Sequence, residues 1–200
     1  MAVNNIQFTK IEIKIAKYLF KHYKDKLNAR QLARILKINH AHANKLCKLL
    51  INKNLVVKEE IGNSVYFSYD YKNKLALNFI EYMLSLEEFP KWLTVLLHNL
   101  KKFKEYINMG LVFGSSTKTK DFNDIDILLI YNKNKSKEIK KIKDEIRKSR
   151  LMEKPIRYID ITEKDILLNK EDKIFYSIMS DNLIFHNPKK YVEIVRKCHK

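Results

Sequence analysis

The segment Phe113-Gly114-Ser115-Ser116-Thr117-Lys118-Thr119-Lys120-Asp121-Phe122-Asn123-Asp124-Ile125-Asp126 decides how the second half of this chain is read. It follows a short apolar run, Leu111-Val112-Phe113, and leads into another, Ile127-Leu128-Leu129-Ile130, and both runs predict strands. On a strand, residues i and i+2 share a face. Asp124 and Asp126 therefore project two carboxylates to one side, while Ile125 and Ile127 turn to the core. Like charges that close repel, and burial makes the repulsion worse. A divalent cation relieves it, and carboxylate oxygens suit a hard ion such as Mg2+ or Mn2+ that also binds phosphates. Gly114 lets an anion approach the backbone closely, where N–H groups and the Ser115 hydroxyl can donate to a phosphate. Lys118 and Lys120 add positive charge at the same mouth.

Outward from this segment, residues 136–150 form a Lys-rich amphipathic pattern with Ile139, Ile142 and Ile146 inward, which predicts a helix. Ile156–Ile161 reads as a third strand, and it carries Asp160. If that strand neighbours the Asp124–Asp126 strand, a third carboxylate joins the pair, and the three together could cradle two metals for an in-line displacement. The remainder, from Glu163 through 174–179, reads as mostly helical. On the other side, residues 74–106 read as helical, with one stripe at Leu77, Ile80, Met83 and Leu84 and another at Trp92, Leu93, Leu96, Leu97 and Leu100. Pro90 breaks the two and suits a helix first turn.

A strand ending in Gly-Ser, a short turn, an Asp-x-Asp and an Asp on a later strand resemble the DNA polymerase beta-like nucleotidyltransferase superfamily in its minimal form. The resemblance covers about residues 111–188. It implies transfer of a nucleoside monophosphate from an NTP, with ATP first among them, to a hydroxyl acceptor. It also implies Mg2+ (or Mn2+) on Asp124, Asp126 and Asp160, with Asp160 assisting as base or ligand, and β,γ-phosphates on Gly114 and Ser115. The acceptor would be a partner protein's Tyr or Ser, a small molecule or an RNA end. Minimal members often follow Gly-Ser with Ala-Arg-Gly or Ala-Lys-Gly. Here Ser116-Thr117-Lys118-Thr119 stands there, so Lys118 takes the basic position and the loop's shape is left open.

The first third has a different pattern. Ile11, Ile13, Ile15, Ala16, Leu19 and Phe20 give a first helix within 8–23, mostly at helical spacing. Asn28 is placed to cap a second, Ala29–Leu36, and Asn39 to cap a third, His40–Asn52, whose Ala43, Leu46, Cys47 and Leu50 form one stripe. Two strand-like runs at 55–60 and 65–69 flank Gly62-Asn63, a pair that tolerates positive φ and predicts a hairpin. This order resembles a winged helix-turn-helix domain over about residues 8–70. The resemblance implies duplex DNA as partner, read by His40, Ala41, His42, Asn44, Lys45 and Lys48 on a recognition helix. Asn suits adenine edges, and Lys suits guanine or phosphate. Glu59 and Glu60 on the wing would repel phosphates unless they point away. His40 and His42, two apart on a helix, lie on different faces and do not make a metal pair.

Charge fits a polyanionic partner. Among 200 residues, 40 are Lys or Arg and 23 Asp or Glu, a net of +17. Residues 1–70 alone carry a net of +8. The same surplus also serves as a solubilising Lys-rich surface. Cys47 and Cys198, the only cysteines, give no disulfide framework or thiolate metal site. No apolar run approaches the roughly 20 residues that span a bilayer, and residues 1–10 have no signal-peptide core, so a cytoplasmic protein without membrane contact is expected. The expected class is α+β: a winged helix-turn-helix over 1–72, a helical linker over 73–108 and a small nucleotidyltransferase α/β domain with a mixed sheet over 109–200. Two alternatives share these residues. One is a DNA-binding regulator whose second domain only senses nucleotide, and the other is an RNA-modifying transferase. A homodimer is left open.

Overall fold

A computed structural model describes residues 7–119, 121–149 and 154–199. The predicted positive charge at Lys120 lies outside the described residues. Among the described residues, the fold is α+β with two sheets. The chain divides into two compact units, one ending at Leu84 and the other formed by Ser85–Cys198. Residues 73–108 are thus shared between them. No helix among the described residues is long and apolar enough to cross a membrane.

The first unit contains α1 (Lys10–Lys21), β1 (Leu27–Asn28), α2 (Ala29–Leu36), α3 (His40–Asn52), β2 (Val56–Ile61), β3 (Ser64–Tyr69) and α4 (Lys74–Ser85). Helix starts are fixed by side chains that satisfy first-turn N–H groups. Thr9 and Glu12 form a capping box on α1, and Asn28 and Gln31 form one on α2. The Asn39 side chain accepts from the Ala41 N–H at the start of α3. Lys37, in the left-handed region at φ 55°, ends α2 and turns the chain into α3. The expected stripe of α3 is buried at Ala43, Leu46, Cys47 and Leu50, against Ile15, Leu19, Phe20 and Leu32 in the same core. The hairpin forms as predicted, with Ile61 paired to Ser64. Of the two turn residues only Gly62 takes a positive φ, 56°. β1 was not legible. Its two residues pair with Phe67 and Tyr66, which makes the sheet β1-β3-β2, antiparallel throughout.

One polar contact ties α1 to the end of α3. Lys53 Nζ lies 2.6 Å from Glu12 Oε1, and the Glu12 side chain is only 3% exposed. The same ammonium donates to the Gln7 carbonyl and lies 4.4 Å from the Phe8 ring centroid. Burial pushes the Glu12 carboxyl up, but the bonds from Lys53 and Thr9 outweigh it and hold the group below its ordinary value.

The second unit contains α5 (Lys91–Leu100), β4 (Met109–Phe113), β5 (Ile125–Ile130), α6 (Ser136–Lys148), β6 (Ile156–Ile161), α7 (Glu163–Leu168), α8 (Lys173–Ser180), β7 (Asn182–His186) and α9 (Pro188–His199). The sheet order is β6-β5-β4-β7. β4 is antiparallel to both β5 and β7, and β5 is parallel to β6, so the sheet is mixed. One face, with Val112, Ile125, Ile127 and Leu129, is covered by Leu93, Leu96 and Leu100 of α5 and by Ile139, Ile142 and Ile146 of α6. The other face carries Leu111, Leu128 and Asp126. Asn182–His186 is a strand where a mostly helical stretch was expected. It is held by pairing to β4, which no local periodicity reports.

Candidate functional site

The corner is set by the end of β4. Gly114 takes φ 80° and ψ −157°, a conformation that residues with a Cβ rarely adopt. A 3-10 turn, Ser115–Thr117, follows. Hydroxyls close it: Ser116 Oγ donates to the Phe113 carbonyl and Thr117 Oγ1 to the Gly114 carbonyl at 2.8 Å. This is how the loop is shaped without a second glycine. Ser115 is exposed at the turn's start.

Asp126 is in register with Phe113 across the β4–β5 pair. Its carboxylate lies against Gly114, where an added Cβ would meet Asp126 Oδ2 at 2.5 Å. Glycine at this position is therefore what makes room for the acid. Burial pushes the Asp126 carboxyl up, the neighbouring Asp124 charge adds to that, and Arg157 opposes it. Gly114, Asp124 and Asp126 are thus brought together as the sequence predicted.

Asp160 is not. β5 and β6 pair in parallel with Asp126 opposite Arg157 and Leu129 opposite Asp160. Paired residues share a face and neighbours alternate, so Asp160 projects from the face opposite to Asp126. It is also three positions further along, roughly 10 Å at strand rise. There it accepts from Lys143 of α6 at 2.6 Å, an ammonium 4.8 Å from the Tyr158 ring centroid. The strand forms where the sequence predicts it, Ile156–Ile161, but its register turns Asp160 toward α6 and away from the acid pair.

The residue that does meet the acid pair is Arg157. Its Nη1 lies 2.8 Å from Asp124 Oδ2, with the Asp124 side chain 17% exposed and that of Arg157 71% exposed. Sequence spacing does not single out this arginine, because only the strand register places it beside Asp126. Among the described residues, no three His, Cys, Asp or Glu side chains gather as a metal-ligand group. Two carboxylates suit a single hard cation completed by ligand oxygens. The three-acid cradle for two metals does not fit the residues present.

Beside Gly114 lies a cleft of about 380 Å³, lined by Phe113, Lys118, Ile174, Ser177 and Asp181 among others. Lys118 reaches this mouth as expected, but its Nζ is 2.8 Å from Asp181 Oδ2, a partner 63 residues away that spacing could not reveal.

In the first unit, α3 exposes His40, Ala41, His42, Lys45 and Lys48, while Asn44 is half-buried. The hairpin acids are each held by a lysine: Glu59 by Lys26 at 3.2 Å and Glu60 by Lys58 at 2.8 Å. Their expected repulsion of phosphates is offset locally.

No protein-family model matches the chain, and no curated protein matches it. Among solved structures, the E41A mutant of Lactococcus lactis ZitR is similar over 74% of this chain and 80% of that chain. The identity is 12% and the TM-score 0.33, a likeness too slight to bear on fold or function.

Proposed function

We propose that the protein is a DNA-binding regulator whose second unit binds a nucleoside triphosphate with one divalent cation, Mg2+ or Mn2+. The observation that carries this is the corner at Gly114. Asp126 seats against the glycine with Asp124 beside it, next to an exposed Ser115, a Lys118 at the mouth and an open cleft, while the position facing Asp126 on β6 holds Arg157. The acid pair would hold the cation, and Ser115 with the turn's backbone would receive phosphate oxygens. Among the described residues, the strand register sets Arg157 rather than Asp160 beside the acid pair, which favours sensing over transfer. In calorimetry with Mn2+ and ATP, Asp126→Asn in the full chain is expected to weaken binding by about 100-fold or more, because even losing an outer-shell partner of a metal ligand costs about 10–100-fold. Equal affinity for the variant and the unaltered chain would sink the nucleotide reading.

On this reading the first unit is a winged helix-turn-helix, with α3 in the major groove of duplex DNA and β2–β3 as the wing. Support comes from the capped α2–α3 pair, the exposed lysines of α3 and the neutralised wing acids. Replacing Lys45 and Lys48 together by Ala should flatten the salt dependence of duplex binding by about 1.8 in log–log slope, since each phosphate contact contributes about 0.9. Fluorescence anisotropy with the full chain at several salt concentrations reads this, and an unchanged slope would remove α3 from the interface.

The surviving acid pair favours one second reading, an active nucleotidyltransferase with a protein or RNA hydroxyl as acceptor. Incubation with radiolabelled ATP, Mg2+ and cell lysate separates the two. Label transferred to macromolecules, and lost in Asp124→Asn, would replace sensing by transfer.

A further inference from the structure

The acid pair carries its own counter-ion. Arg157 projects from β6 on the face of Asp126 and reaches Asp124 through Nη1 at 2.8 Å. The corner therefore totals −1, where three carboxylates would total −3. That difference changes which ligand the corner prefers. A free divalent ion is attracted less strongly by −1 than by −3. A nucleoside triphosphate carrying one such ion is itself negative, and it is repelled less.

The arginine is also free to leave. Its side chain is 71% exposed, whereas Asp124 is 17% exposed, so the guanidinium remains largely in water while the carboxylate is screened by protein. A half-exposed pair of this kind contributes little net stability. The planar guanidinium matches phosphate oxygens in a fork geometry that an ammonium lacks.

We propose that Arg157 is a tethered cation that competes with a free divalent ion for Asp124 and Asp126, and that it moves from Asp124 to a phosphate when an ion-bound triphosphate enters. The second half rests on the nucleotide-binding reading above, and the first half does not. The consequence is selectivity. The site stays closed to the bare ion by an internal charge and opens to the ion–nucleotide complex, which accepts that charge.

The test uses the full chain, Arg157→Gln and Arg157→Lys, with circular dichroism to verify folding. Free Mn2+ is followed by electron paramagnetic resonance, and Mn2+ with ATP by calorimetry. Arg157→Gln should bind Mn2+ alone about tenfold tighter, because a competing charge is gone, and Mn2+ with ATP about tenfold weaker, because a phosphate partner is gone. Arg157→Lys should keep the weak Mn2+ binding and recover part of the ATP affinity. A merely structural arginine would give no such crossing. Equal Mn2+ affinity in Arg157→Gln and the unaltered chain overturns the proposal, as does a shift of both ligands in one direction. If Mn2+ binding tightens as expected but ATP binds neither protein, the competition stands and the nucleotide reading falls.

Discussion

Gly114→Ala is expected to abolish usable nucleotide binding while the chain still folds. Two costs combine at this residue. Its φ of 80° with ψ −157° is a region that residues with a Cβ enter at a cost of about 1–3 kcal/mol. The added Cβ would also stand 2.5 Å from Asp126 Oδ2, so the carboxylate must shift. Shifting Asp126 moves one of the two proposed cation ligands, and even disturbing an outer-shell partner of a metal ligand costs about 10–100-fold. Calorimetry with Mn2+ and ATP should therefore show affinity lower by about that factor, and a thermal melt should show a lowered transition. Gly62→Ala is the control. Gly62 also has a positive φ, 56°, but nothing lies within 4 Å of its Cβ position, so it should lose a little stability and no nucleotide affinity. If Gly114→Ala bound as tightly as the unaltered chain, Asp126 would not be the group that meets the ligand.

Lys53→Met should destabilise the first unit by about 3 kcal/mol, because removing one partner leaves a buried charge uncompensated. The partner is Glu12, 3% exposed and 2.6 Å from Lys53 Nζ. For a unit of this size, that corresponds to a fall in melting temperature of more than about 10 °C. The pH dependence gives a second readout. The folded-state carboxyl of Glu12 is held below its ordinary value of 4.5. Its contribution is therefore fully present above the unfolded value and is lost as pH falls through the folded one. Urea titrations at pH 7 and pH 4 should show the gap between the two proteins narrowing at the lower pH. Adding Glu12→Gln to Lys53→Met should recover a large part of the loss at pH 7. A gap that is the same at both pH values would mean that Lys53 acts through its packing on Phe8 rather than through its charge.

The local elements were legible wherever local chemistry determines them. Asn28 and Asn39 marked helix starts because a short side chain there satisfies orphan N–H groups, and the Ala43–Leu50 stripe announced the buried side of α3. The strand that ends just before Gly114 and the strand that carries Asp126 were legible because their apolar runs are bounded by turn residues. Facing was less accessible. Tyr158 and Asp160 alternate with Arg157, Ile159 and Ile161 in the sequence, but alternation alone does not say which set meets Asp126. That is fixed by the pairing of Ile125 with Ile156, a fact about two strands rather than one. The Asp181 partner of Lys118 was hidden for the same reason. β7 was missed because five residues, Asn182–His186, are too few to display a period, although Asn187, in the left-handed region at φ 59°, and Pro188 punctuate its end.

The attachment of β7 to β4 has a consequence for the order in which the second unit assembles. β4 and β5 are near neighbours in sequence and can pair early, while β7 joins β4 across roughly seventy residues of chain. Closing so long a loop is entropically slow, and high-contact-order pairings set folding rates. During synthesis the β4 edge that receives β7 therefore waits, with its backbone donors and acceptors unpaired, until the last strand has left the ribosome. That open edge is a template for another chain's strand, so crowded nascent copies should aggregate through β4 rather than through the finished protein's surface.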